Sequence, residues 1–226
     1  MASHISLALI PSNQKDNGGV IKGYTEATGM WVLAQCVKAY ARTLPDFDCE
    51  VFWSWPEGYV AGFPGLREQH RLADVWLANK INPLVLDLHT DANIGVSHVA
   101  AVYGRDPGQT KEQSRSWLLA RRTADEVNTI FQTTVMEFDF SDYIFYTATR
   151  YISALLEVCA HDNLSDLTKL FANFDGVSKA IVHGVLRYAG RLIPAPVILN
   201  PQDTQGIKAE LARARSNIST AEGMLK

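Results

Sequence analysis

Leu84-Val85-Leu86-Asp87-Leu88-His89-Thr90-Asp91 is the stretch on which the fold turns. It follows Asn82-Pro83, which releases the chain from a turn, and its first five residues are apolar except for Asp87. A run of that kind reads as a strand of an α/β sheet buried on both faces. In such sheets ligands bind beyond the carboxyl ends of the strands, and here the group at that end is His89. An imidazole in that place either caps the strand through backbone hydrogen bonds or does chemistry, and the choice rests on what else converges there.

Upstream, residues 5–10 read as a first buried strand that runs into a polar, glycine-rich loop at 11–19. Thr25 is the expected N-cap of a helix in which Met30, Leu33, Val37 and Tyr40 recur at helical spacing. Glu26 then lies in the first helical turn, where the helix dipole favours a carboxylate and where a rigid element could also present it to a metal. Residues 49–53 predict a second strand, and Trp55, Tyr59 and Phe63 fill a loop suited either to covering the core or to stacking on sugars or peptides. An amphipathic helix over 66–80 leads into the central strand.

Downstream, the pattern predicts a strand at 99–103, a long helix within 109–131, an edge strand at 143–146, and helices at 165–171 and 176–188. Between them, residues 152–158 repeat the logic of the central strand, an apolar run carrying one ionisable group, Glu157. A carboxylate in that setting is costly unless it is paired, protonated or close to a metal. Three strands thus end in polar groups: the Asn13/Gln14 loop with Glu26 beyond it, His89, and Glu157. His98 and Asn163 stand near the same strand ends and are candidates to orient a substrate.

Composition narrows the partners. At 47% hydrophobic and 20% charged, with a formal net charge of -3, the 226-residue chain has no basic patch for nucleic acid and no like-charge block for a membrane surface. Cys36, Cys49 and Cys159 are odd in number and lack metal-type spacing, so they read as buried thiols of a reducing compartment. The start of the chain carries no secretory-signal pattern and no apolar run reaches the ~20 residues of a membrane span, which points to a protein cytoplasmic as synthesised, without membrane insertion. Pro194, Pro196 and Pro201 give linker composition, so the division expected is a domain over 1–190, a linker over 191–206 and an amphipathic helix over 207–226. That helix, marginal alone, should pack on the domain or on a second copy to make a homodimer. The fold class expected is α/β, a central mostly parallel mixed sheet flanked by helices on both faces, plus the C-terminal helix.

Few ligands plus a carboxylate free to move protons is what a catalytic zinc site requires. Residues 5–190 resemble the zinc-dependent N-acetylmuramoyl-L-alanine amidases of the amidase-3 type, found among bacterial cell-wall enzymes and phage endolysins. The resemblance is carried by Pro11-Ser12-Asn13-Gln14 with Thr25-Glu26, by Leu66, Arg71 and Ala73-Asp74, by Asp87-Leu88-His89-Thr90-Asp91, and by Leu156-Glu157-Val158 through Asn163 with Asp166 and Leu170. It implies that Glu26 and His89 hold Zn2+, that Glu157 is the catalytic carboxylate, and that the substrate is peptidoglycan, reached after the protein's release and cut between muramic acid and L-alanine. The chain departs from the family in its first loop, which has no histidine; Gln14 is the first candidate for the missing ligand and Asn13 the second. An amide oxygen is a weaker zinc donor than imidazole, so a catalytically degenerate domain that binds peptidoglycan or a partner protein is the alternative, and another zinc peptidase on a similar sheet a third.

Overall fold

The chain is seen here as a computed structural model, which describes residues 4–14, 17–52, 65–92 and 95–191. The expected strand 5–10 is β1 (Ile5–Pro11), followed by α1 (Glu26–Ala41), β2 (Phe47–Val51), α2 (Leu66–Leu77), β3 (Pro83–Asp91) and β4 (His98–Tyr103). The second half adds α3 (Arg115–Phe131), β5 (Thr134–Asp139), α4 (Ile144–Thr147), β6 (Ile152–Ala160), α5 (Leu164–Ala172) and α6 (Phe174–Tyr188). The strands form one six-stranded sheet in the order β2-β1-β3-β6-β4-β5, parallel except where β4 runs antiparallel to β6. This is the mixed α/β sheet expected, with β3 and β6 side by side at its centre.

Two elements differ from expectation. Residues 143–146, aromatic and β-branched in composition, fall largely in the single-turn helix α4, which buries Phe145 against Ala100, Val102 and Leu155. The edge strand is instead β5, whose start is set where Gln132 takes a left-handed conformation, φ 54°, and ends α3. Its Val135 and Met136 pack on opposite faces of the sheet, and the exposed edge made the alternation faint in sequence. The second strand also starts two residues earlier than predicted, at Phe47. Trp53, the aromatic loop to residue 64, the linker and the helix expected over 207–226 lie outside the described residues.

The two faces of the sheet are covered differently. Leu84, Leu86 and Leu88 of β3 project into a continuous apolar cluster with α1, α3 and α6, to which Leu33, Val37, Leu119, Val127, Ile181 and Val185 contribute. Gly184 lets α6 approach α3 so closely that a Cβ there would stand 2.4 Å from Thr123 Cα. On the opposite face, where α2 and α4 pack, strand alternation places Val85, Asp87 and His89 of β3 beside Ser153, Leu155 and Glu157 of β6. Among the described residues no helix is long and apolar enough to cross a membrane.

Candidate active site

The register of the two central strands brings the site together. β3 and β6 run parallel with His89 opposite Glu157, and β4 places Ala100 opposite Glu157 from the other side. Paired residues of adjacent strands project from the same face, so the imidazole and the carboxylate are neighbours at the carboxyl end of the sheet. Just past this point the ladder slips between His89 and Asp91, which splays the strand ends.

The third group arrives from a loop and a helix. β1 ends at Pro11, and the loop after it returns so that Thr25 caps α1, its hydroxyl accepting from the Thr28 N–H at 3.2 Å. Glu26 is therefore the first residue of the helix, buried, and its Oε1 lies 2.8 Å from His89 Nδ1. The Thr90 N–H donates to the same oxygen at 3.4 Å, and the Asn17 amide donates to Oε2 at 2.6 Å. The loop is held down by Tyr24, whose hydroxyl lies 2.8 Å from Thr90 Oγ1, and by Gly19, where a Cβ would meet the His161 carbonyl at 2.6 Å. Only glycine allows that approach.

The surroundings set the two carboxylates apart. Burial pushes Glu26 up, but the hydrogen bond and charge of His89 and hydrogen bonds from Ser12 and Asn17 outweigh it and hold the carboxyl below its ordinary value. Burial alone pulls His89 down, yet Glu26, with smaller help from Glu157 and Asp87, lifts it to about 9. Glu157 is pushed up to about 8, chiefly by burial, with His89 opposing and Glu26 and Asp91 adding to the rise. Glu26 is thus the fixed anion and Glu157 a group able to hold or release a proton near neutral pH, a separation of roles typical of acid–base pairs. Two atoms stand buried without a hydrogen-bond partner at the centre of the group, His89 Nε2 and Glu157 Oε2.

The other residues singled out by sequence fall as follows. Gln14 sits at the rim, exposed, with its Oε1 accepting from Asn17 at 3.3 Å and its carbonyl from the Ala27 N–H at 3.4 Å. Asn17 therefore stands between Gln14 and Glu26. Sequence reading missed it; its place in a polar loop opposite a helical glutamate was the available signal. His98 is fully buried with Nε2 3.1 Å from Asp91 Oδ2 and Nδ1 2.8 Å from the Val96 carbonyl. Asn163 caps α5 through the Asp166 N–H at 3.1 Å and donates to the Gly95 carbonyl at 2.6 Å. Their hydrogen bonds run to Asp91, Val96, Gly95 and Asp166.

Among the described residues no three His, Cys, Asp or Glu side chains are grouped to hold a metal ion. What the site does present is a carboxylate oxygen and an imidazole nitrogen 2.8 Å apart. Two ligands of a tetrahedral zinc, each roughly 2.0–2.1 Å from the ion, stand about 3.3 Å apart, so a small parting of these side chains would admit one. Among the described residues of the first loop, the groups next to Glu26 are neutral, the amides of Asn17 and Gln14. The donor chemistry of Glu26 and His89 is of the kind zinc takes, and an amide oxygen would be a weaker third donor.

No protein-family model and no curated protein matches the sequence. Solved structures do match in fold. The N-acetylmuramoyl-L-alanine amidase AmiC2 of Nostoc punctiforme superposes with a TM-score of 0.64 at 13% identity, covering 83% of this chain and 98% of that one. The catalytic domain of CwlV, an N-acetylmuramoyl-L-alanine amidase from Bacillus (Paenibacillus) polymyxa var. colistinus, gives 0.65 at 15% identity, covering 83% and 99%. The catalytic domain of the CD27L endolysin, targeting Clostridia difficile, gives 0.61 at 18% identity, covering 81% and 98%. At these identities the likeness is one of fold.

Proposed function

We propose that this chain is a peptidoglycan amidase that hydrolyses the amide between N-acetylmuramic acid and L-alanine, with Glu157 as its proton-transferring residue. The observation that carries the reading is the pairing of His89 with Glu157 across β3 and β6, completed by Glu26 at 2.8 Å from the imidazole. Solved amidases of the same fold support the substrate class. Zn2+ would be held by Glu26, His89 and an amide oxygen of Gln14 or Asn17. When bound, such an ion supplies electrophilic polarisation of the scissile carbonyl and of a water.

The chain's own groups do the rest. Glu157, pushed up to about 8, takes a proton from the attacking water through its unpartnered Oε2 and returns it to the departing alanine nitrogen. A carboxyl that titrates near the working pH is suited to both transfers. Without the ion Glu26 holds His89 through Nδ1, the position that a bound ion would take between them, and Asn17, Ser12 and the Thr90 N–H fix Glu26 in turn. The slip in the ladder past His89 opens the strand ends where a peptide stem would enter.

The test is a cell-wall suspension incubated with purified protein of known metal content, scored for newly freed alanine amino groups. About one zinc per chain and activity lost in Glu157→Gln are the expected outcome. Free amino groups between later peptide residues would instead identify a peptidase. That the described residues bring no third His, Cys, Asp or Glu into a metal-holding group favours a second reading, a domain that binds peptidoglycan without cutting it. Protein that sediments with insoluble wall while freeing no amino groups, with or without added zinc, establishes that reading and overturns the first.

A further inference from the structure

The opposite edge of the sheet carries a cleft that the amidase reading does not use. Where β1, β3 and β6 begin, the start of α3 and the end of α6 leave a cavity of about 600 Å3 whose walls include Ile152, Tyr151, Tyr188, Arg115 and Arg150. A second recess of about 370 Å3 adjoins it, sharing Arg115, Arg150, Tyr151 and Ile152, and extends along Ser114 and Ser116 at the start of α3. The volume suits a small organic molecule.

The charge of the cleft is one-sided. Arg71, Arg105, Arg121 and Arg187 each meet a carboxylate. Arg115 and Arg150 make no ion pair among the described residues: Arg115 Nε donates to the Tyr188 hydroxyl at 3.3 Å, and the Arg150 guanidinium lies 5.2 Å from the Tyr151 ring centroid. Among the described residues no Asp or Glu lines the larger cavity. Asp106, which lines the smaller recess, is engaged by Gln109 and Tyr146, and Asp74 accepts from Thr149 and from the Arg150 backbone N–H. Ser114 caps α3 by accepting from the Trp117 N–H at 3.1 Å, and the start of this 17-residue helix, its positive dipole end, forms part of the wall of the same recess.

Two guanidiniums, a helix start and two tyrosine rings, beside the apolar Ile5, Leu84, Leu118 and Ile152 of the larger cavity, match one ligand chemistry, a phosphate or phosphomonoester on a ring-bearing body. The guanidinium fork grips phosphate oxygens in pairs, and a ring can lie against Tyr151 or Tyr188. We infer that the cleft between the starts of β3 and β6 and the start of α3 is a second binding site, for a phosphorylated small molecule with a ring body. It is independent of hydrolysis at the other edge.

The test uses the full chain and three probes by isothermal titration: AMP, glucose 6-phosphate and inorganic phosphate, with adenosine as the uncharged control. The expected result is saturable binding of AMP, competition by inorganic phosphate, weak or no binding of adenosine, and a loss of about tenfold or more in the Arg115→Gln/Arg150→Gln double variant. Both arginines are exposed, so the variant should keep the wild-type melting temperature, and Glu157→Gln should bind AMP as the wild type does. Tighter glucose 6-phosphate than AMP would assign the body to a sugar and leave the phosphate site standing. No binding of any phosphate probe, or equal binding by the double variant, overturns the inference.

Discussion

The two faces of the sheet are built on opposite principles. Toward α1, α3 and α6 the sheet packs in one unbroken apolar cluster. Toward α2 and α4 the apolar contacts divide into two small clusters, one around Ala8, Ile10, Val85 and Leu77 and the other around Ala100, Val102, Leu155 and Phe145. Asp87, His70 and Gln69 are buried on this second face, and His70 Nε2 lies 3.0 Å from Asp87 Oδ2 with both side chains fully enclosed. Burial pulls His70 down but Asp87 outweighs it and raises the imidazole above its ordinary value. His70 Nδ1, Asp87 Oδ1 and both amide atoms of Gln69 have no partner, nor have Ser6 Oγ and Ser153 Oγ. Buried polar groups without partners cost stability, so a face that keeps them beneath His89 and Glu157 is organised for something other than packing.

The sharpest test of this contrast is at the site. Glu157→Gln keeps the shape of the side chain and removes the proton exchange, so amide release should fall about 10²- to 10⁴-fold while the melting temperature at neutral pH holds or rises. A variant that stays active, measured by freed alanine amino groups, would put the chemistry elsewhere. Next in size is the His70–Asp87 pair. Replacing one partner alone, as in Asp87→Leu, removes the one hydrogen bond of a fully buried imidazole and should cost about 1–3 kcal/mol in urea unfolding. The double variant His70→Leu/Asp87→Leu should recover most of that loss or exceed the wild type. If the single and double variants were equally destabilised, the pair would be a packing element like any on the other face.

The titrations give a further distinction. In protein stripped of metal by a chelator, His89 at about 9 lies above its ordinary value, so the stability it adds is complete below about pH 6.5 and is lost as pH rises through 9. Glu157 at about 8 acts in the same direction: its stabilising protonation is complete below about pH 4.3 and is lost as pH rises through 8. Glu26, held low, has the opposite sign; its contribution is present above the ordinary carboxyl range and lost as pH falls through its lowered value. Metal-free protein should therefore be most stable at mildly acidic pH and lose midpoint temperature steadily from pH 7 to 9. His89→Asn should flatten that decline, and Leu86→Ala, on the dry face, should lower the whole curve without changing its slope.

The sequence made the dry face and the strand ends legible, because runs such as 84–88 and 152–158 announce their burial and any ionisable residue in them stands out. His89 and Glu157 were found that way, and Glu26 by its place after a capping threonine. The expected first-loop ligand was only partly legible: Gln14 reaches the rim, but Asn17 is the residue bonded to Glu26, and a loop has no periodicity to reveal which amide turns inward. His98 was singled out by nearness in sequence to His89, and a pattern of that kind does not report that its ring nitrogens meet the Val96 carbonyl and Asp91. The His70–Asp87 pair was invisible because its partners are 17 residues apart on a helix and a strand, and an amphipathic pattern does not report a polar residue on the buried side.

The smallest effects separate the faces most cleanly. Ser6 and Ser153 are fully buried with hydroxyls that have no hydrogen-bond partner among the described residues, and alternation puts both on the α2 face. Removing such a hydroxyl creates little void and relieves a desolvated donor and acceptor, so Ser6→Ala and Ser153→Ala should be neutral or stabilising by up to about 1 kcal/mol. Ser116 is the control: its hydroxyl donates to the Ser153 carbonyl at 2.5 Å and accepts from the Gly104 N–H at 3.0 Å, so Ser116→Ala should cost about 1–3 kcal/mol by stranding both. Should Ser153→Ala instead lower the midpoint as far as Ser116→Ala does, its hydroxyl is held by ordered water, and the polar face is a hydrated layer with its bonds fulfilled. Its stability would then resemble that of the apolar face, and the functional argument would rest on His89, Glu26 and Glu157 alone.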